Sequence, residues 1–218
     1  MTYLVVGEDG ANYAQAETIQ RDSLQLAQFL GDRQGIADAL TDLGMVYRMQ
    51  GRFLRSAEML SEALDIYHSL SDAPGAALAM LNLGATVWNL DETNRALNLV
   101  SESFNHLEQL GDVNTLAKAQ ILWSQIALSQ GDIGTAFRLG VAAMEAHARL
   151  GDRWFIAFDL MGLANAAREA RRTQQAVELF AAAQAIAESI GSVIGDVSFG
   201  PLIETIDSAR RETWFDQV

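Results

Sequence analysis

A three-residue phrase, Leu-Gly-Asp, returns in this chain at Leu30-Gly31-Asp32, Leu110-Gly111-Asp112 and Leu150-Gly151-Asp152. Leu70-Ser71-Asp72 and Ile190-Gly191-Ser192 fill the slots between and after them, so the phrase opens at 30, 70, 110, 150 and 190, a constant step of 40. A fixed period of this length restricts the fold more than any other property of the chain. It requires a stack of similar units, each burying its apolar face on a neighbour.

The period runs through the units as well as between them. One column holds Ala37, Ala77, Ala117 and Ala157; another holds Leu43, Leu83, Trp123 and Leu163, followed by the small residues Gly44, Gly84, Ser124 and Ala164. Ser56, Ala96, Ala136 and Ala176 form a third column, and Ala63, Ser103, Ala143 and Ala183 a fourth, with no insertion or deletion. Within a unit, Leu40, Leu43 and Tyr47 fall at i, i+3 and i+7, and Leu60, Leu64, Tyr67 and Leu70 continue the helical spacing after a break. Each unit is therefore two helices. Gly31 supplies a left-handed stop and Asp32 a cap for the next helix. The turn inside each unit sits near Gly51, Asp91, Gly131 and Arg171. Small columns let paired helices approach closely.

The expected helices are roughly 12–30, 34–50, 53–70, 74–90, 93–110, 113–130, 133–150, 153–170 and 173–190, with a last one near 200–215 after the looser SVIGDVSFGP. This divides one repeat domain, 1–218, into a half repeat at 11–32, repeats at 33–72, 73–112, 113–152 and 153–192, and a capping helix. Because the chain enters in the second half of a unit, it reads as a piece of a longer protein, or else as one with a degenerate cap, with the first ten residues the remnant of the missing partner helix. Two prolines and 8% aromatics agree with an all-α chain.

Composition excludes several functions. Without cysteine there are no disulfides and no thiolate metal sites, which suits a reducing compartment. The opening MTYLVVGEDG has neither the basic start nor the apolar stretch of a signal peptide. No run approaches the ~18–20 apolar residues of a membrane span. A net charge of −13 argues against direct nucleic-acid binding. The expectation is a cytoplasmic protein.

No catalytic constellation is visible. His68, His106 and His147 lie in different repeats without metal-ligand spacing and read as surface or half-buried side chains. Serines lack a nucleophile elbow, no glycine loop matches a phosphate cradle, and Asp32, Asp38 and Asp42 read as a solvated face rather than a calcium loop. Arg171-Arg172 and Arg210-Arg211 are short basic pairs. No enzyme activity, cofactor or metal is expected.

Leu43-Gly44 followed by Tyr47, with Ser56 and Ala63 flanking Leu60, resembles the tetratricopeptide family, in a 40-residue variant of its usual ~34-residue unit. Arrays of this kind look like those of large bacterial signalling proteins, including peptide-sensing helical-repeat regulators and ATP-dependent transcriptional regulators related to the maltose regulator. The alanine-rich stretch 176–185, running on to Ile190-Gly191, is similar to the closing repeat of the latter. The resemblance implies a right-handed superhelical solenoid of antiparallel helix pairs with a C-terminal cap. It also implies that the first helix of each unit lines a concave groove.

Transferring that geometry places Asp38, Thr41, Met45 and Arg48 on the groove in the first unit and Leu78, Leu81, Ala85 and Trp88 in the second. The third offers Lys118, Ile121, Gln125 and Leu128, and the fourth Phe158, Met161, Asn165 and Arg168. These do not match the Lys/Asn/Arg clamp with which some relatives hold a peptide carboxylate. Leaving Leu78, Leu81, Trp88, Ile121 and Phe158 in water would forgo on the order of 8–15 kcal/mol, so either neighbouring repeats or a partner should cover them. Trp154, Phe155 and Trp214 are further aromatic candidates that read as core or cap. The function expected is non-catalytic: a protein or peptide interaction and sensing module of a bacterial signalling or transcriptional regulator. The alternative is a constitutive scaffold. Self-association through the apolar groove or the C-terminal helix is the remaining partner expectation.

Overall fold

In the computed structural model, residues 10–191 are described, and they form nine α-helices and no strand. These are α1 (Gly10–Leu30), α2 (Arg33–Met49), α3 (Phe53–Leu70), α4 (Ala73–Trp88), α5 (Thr93–Leu110), α6 (Val113–Ser129), α7 (Ile133–Leu150), α8 (Arg153–Glu169) and α9 (Thr173–Ser189). The expected boundaries differ from these by at most two residues. The remnant at the start, the helix near 200–215 and Trp214 lie outside the described residues.

Every helix is ended by one residue in the left-handed region. Gly31, Gly51, Gly111, Gly131, Gly151 and Gly191 have φ between 68° and 80°, and Ser71, Asp91 and Arg171 take the same conformation at φ 57°, 62° and 58°. The 40-residue repeat is thus two 20-residue steps of helix plus turn. At the turns between units, one aspartate does two jobs. The Asp72 amide donates to the Tyr67 carbonyl at 2.9 Å and closes α3, while the Asp72 carboxylate accepts from the Gly75 amide at 3.0 Å and opens α4. Asp152 repeats this between α7 and α8, its amide donating to His147 at 3.0 Å and its carboxylate accepting from Phe155 at 3.1 Å. That double duty is why Asp follows the left-handed residue in the recurring phrase. Inside the units, Arg52, Glu92 and Arg172 make no side-chain cap.

The described chain divides into two compact units between Ala119 and Gln120. In the first, successive helices α1 to α5 pack in chain order, and α2 also touches α4. A β-carbon added at Gly44 would come within 2.5 Å of the Leu60 side chain, and one at Gly84 within 2.8 Å of Val100. The small column therefore marks where two helix axes come closest. Its core holds Ala37, Leu40, Ala63, Tyr67, Ala76 and Ala79. In the second unit, α8 packs against both α7 and α9 around Leu160, Met161, Ala164, Ala176, Phe180 and Ala183. No helix among the described residues is long and apolar enough to cross a membrane.

Candidate functional site

The first helix of each repeat carries the candidate residues, and the two units distribute them differently. In the first unit, Leu78 is exposed at 37%, Leu81 is buried at 6%, and Met45, Arg48, Ala85, Trp88 and Lys118 are half-buried. Thr41 is buried, its hydroxyl donating to the Ala37 carbonyl at 2.9 Å. Asp38 is exposed and accepts a 2.8 Å hydrogen bond from the Tyr67 phenol. Burial, first, and the Asp38 charge push the Tyr67 pKa well above its usual value, so the phenol stays protonated and donating.

In the second unit, Met161 is buried at 3%, while Ile121, Gln125, Leu128, Phe158, Asn165 and Arg168 are half-buried. Leu81 and Met161 therefore belong to the core and line no open face. Of the five apolar residues expected to need a cover, Leu78 is exposed, Trp88, Ile121 and Phe158 are half-buried and Leu81 is buried. Part of the estimated ~8–15 kcal/mol is thus recovered within the chain.

The geometry is best organised along one stripe of α8. Trp154 and Phe158, one turn apart, stack with ring centroids 5.7 Å apart and planes 9° apart. Trp154 also meets Phe155 edge to face at 5.0 Å. Further along the same stripe, the Arg168 guanidinium donates to the Asn165 carbonyl oxygen from Nε at 3.1 Å and from Nη2 at 2.9 Å. Glu169 accepts from the same guanidinium. Asn165 and Arg168, both candidates from sequence, are thus brought together with the planar cation held in one orientation. Trp154 remains 38% exposed, whereas Phe155 is core.

Beneath this stripe lies a pair that sequence reasoning missed. His147 of α7 is fully buried, Asp159 of α8 is 3% exposed, and their Nδ1 and Oδ2 are 2.8 Å apart. The surface reading of His147 is therefore corrected: its imidazole stacks on Phe155 at 4.6 Å, inside the α7–α8 contact. Burial raises the Asp159 pKa, against the lowering effect of His147. His147 Nε2 and Asp159 Oδ1 have no protein hydrogen-bond partner. A signal was present: stepping by 40, the buried residues Ala39, Ala79 and Ala119 lead to Asp159, the only polar residue in their column.

Two other histidines are brought nearer than sequence suggested. His68 and His106 line a cleft of about 170 Å³ in the first unit with Tyr67, Asp72 and Met80. Among the described residues, however, no three His, Asp or Glu side chains are grouped so as to hold a metal ion.

Residues 11–69 match the family of the tetratricopeptide repeat. No curated protein matches the chain. Among solved structures, a Rap protein complexed with competence and sporulation factor superposes with a TM-score of 0.75 at 17% identity, over 81% of this chain and 50% of that one. The apo form of RapI gives 0.72 at 16% identity over 94% and 80%. BtubC (BKLC) from P. vanneervenii gives 0.70 at 19% identity over 85% and 77%. At these identities the likeness establishes the fold: an all-α helical repeat of the tetratricopeptide type. The chain spans half the length of the Rap protein in its complex.

Proposed function

We propose that this chain is a non-catalytic sensing module that binds a peptide or an extended protein segment on α8, the first helix of its last described repeat. The stripe Trp154–Phe158–Asn165–Arg168 of α8 is the main contact. The observation that carries the reading is the pairing on one helix face of stacked aromatic rings with a guanidinium held by Asn165. Stacked rings offer apolar area at low entropic cost, and the Arg168 Nη1, which the bonds to Asn165 and Glu169 do not use, has N–H groups to donate to a ligand carboxylate. The ligand is therefore a segment that combines an apolar or aromatic side chain with a carboxylate. The Rap protein found in complex with competence and sporulation factor lends support by likeness of fold. The module belongs to a cytoplasmic bacterial regulator, in which ligand binding biases an attached output domain.

The test is selection of a dodecapeptide library displayed on phage against the immobilised chain. Enriched peptides should carry an aromatic or aliphatic residue near Asp, Glu or a free C-terminus. Synthetic copies should bind Arg168→Ala and Phe158→Ala about tenfold more weakly, a loss of about 1.4 kcal/mol each, with helix content retained by circular dichroism. Selection without enrichment, or binding indifferent to both substitutions, would refute the assignment.

A further inference from the structure

Five residues at the α7–α8 junction depart from their columns together. His147 stands where the other repeats have Ala27, Tyr67, Leu107 and Ala187, and Asp159 stands in a column otherwise made of alanine. The positions of Trp154, Phe155 and Phe158 hold no aromatic residue in α2, α4 or α6. The five form one connected series from core to surface. Asp159 Oδ2 lies 2.8 Å from His147 Nδ1, and the imidazole lies flat on Phe155, with centroids 4.6 Å and planes 11° apart. Phe155 meets Trp154 edge to face at 5.0 Å and 89°, and Trp154 stacks on Phe158 at 5.7 Å and 9°. Exposure rises along the series, from 0% at His147 through 8% at Phe155 to 38% at Trp154.

Filling space does not require this arrangement. At the α3–α4 junction the same two columns meet as one ring and no side chain, since a β-carbon at Gly75 would lie 2.4 Å from the Tyr67 ring. In the preceding unit, Leu107 and Ala119 occupy the positions of His147 and Asp159, and both are buried without an ion pair. A buried pair gives no more stability than well-packed apolar residues of similar volume. What it supplies, and Leu with Ala cannot, is direction. Phe155 and Asp159 are one turn apart on the same face of α8. The helix therefore holds the imidazole twice, by a hydrogen bond at its edge and a stack on its face. A hydrogen bond fixes the plane of the imidazole, and a flat stack passes that plane to the next ring.

We propose that His147 and Asp159 are positioning residues for the aromatic half of the α8 stripe: the pair sets the plane of the Phe155 ring and, through it, the stacked Trp154 and Phe158 rings at the surface. The consequence for affinity rests on the reading of α8 as a peptide-binding face; the placement of the rings does not. Without the imidazole, Phe155 is free to turn, and Trp154 loses the fixed edge on which it is seated. The surface rings then populate several rotamers, and a ligand that fits one of them must bear the cost of selecting it. A binding face is sharp only when its side chains are locked from behind by packing and hydrogen bonds, and the pair is that lock.

The test reads ring placement without a ligand and binding with one. Incorporation of fluorotryptophan gives a fluorine NMR line for each of the 4 tryptophans, and the Trp154 line is the one missing from Trp154→Phe. In the double variant His147→Leu/Asp159→Ala, which carries the residues of the preceding unit, helix content should match wild type while the Trp154 line moves and broadens. Asp159→Asn, whose amide keeps a hydrogen bond to the imidazole, should leave the line in place. A synthetic dodecapeptide enriched on the wild-type chain should bind the double variant about threefold to tenfold more weakly and Asp159→Asn as it binds wild type. Four results would each overturn the proposal: an unmoved Trp154 line in the double variant, an equal movement in Asp159→Asn, loss of helix content in the double variant, or unchanged peptide affinity beside a moved line. The two readings fail separately. If the wild-type chain binds no enriched peptide, the assignment of α8 falls, and the fluorine spectrum still decides whether the pair sets the rings.

Discussion

The His147–Asp159 pair admits a quantitative test, because the repeat supplies its own apolar replacements. In the preceding unit, the position of His147 is Leu107 and that of Asp159 is Ala119, both buried. His147→Leu would leave the Asp159 carboxylate in the core with neither oxygen hydrogen-bonded, since Oδ1 already lacks a protein partner. Breaking a buried charged pair in this way costs about 3–5 kcal/mol. Asp159→Ala leaves a fully buried imidazole with no partner on either nitrogen, which costs about 1–3 kcal/mol. If the two losses were independent, the double variant would be destabilised by about 4–8 kcal/mol, enough to unfold an ordinary domain. They are not independent, because each penalty consists of a group orphaned by the other's removal. The double variant should therefore lie between no change and a gain of about 1–4 kcal/mol, as when buried ion pairs elsewhere are replaced by well-packed apolar residues. Urea unfolding followed by circular dichroism measures all four corners of the cycle. A double variant as unstable as the sum of the singles would refute the reasoning. It would mean that the pair supports α7 and α8 by shape alone, or that the Phe155 stack on His147 is the dominant contact.

The same pair makes stability depend on pH in a defined sense. Burial raises the folded-state pKa of Asp159 above its unfolded value of about 3.9. Its contribution is full below that value and is lost as pH rises through the folded one, so the stability of wild type relative to Asp159→Asn should fall as pH is raised from about 4; a flat difference in chemical denaturation would contradict this. Ser71→Gly, Asp91→Gly and Arg171→Gly relieve left-handed backbone at positions where the equivalent turns use glycine, and each should raise stability by about 0.5–1 kcal/mol, read as an increase in Tm. Gly75→Ala should do the reverse by about 1–3 kcal/mol, because its β-carbon would lie 2.4 Å from two atoms of the Tyr67 ring, which cannot bend aside as a flexible chain end would. Asp152→Ala removes an N-cap and should cost about 1 kcal/mol.

The helices were legible because their punctuation is chemical. Left-handed backbone favours glycine and a capping carboxylate favours aspartate, so each boundary was written in residues whose identity follows from a local requirement. Ser71, Asp91 and Arg171 show the limit of that code: they adopt the same φ without glycine, and it was the 20-residue step that located them. The small column was legible for a similar reason, since Gly44 and Gly84 face Leu60 and Val100 at distances that exclude any side chain.

Exposure was not legible, because it depends on what lies across the helix. Leu78 and Leu81 are three residues apart on one stripe, yet one is exposed and the other is core. Helical spacing fixes an azimuth, whereas burial depends on how closely the neighbouring helix approaches. Pairing was hidden in the same way: His147 and Asp159 occupy different columns on different helices, and each alone resembles an ordinary surface residue. What could have exposed them is a violation of the column rule, a carboxylate standing where Ala39, Ala79 and Ala119 stand. In a repeat chain the column itself is a control experiment, and departures from it mark contacts that local helix chemistry does not require. By that criterion Asp159 is a departure in residue type, and it is answered inside the chain by His147.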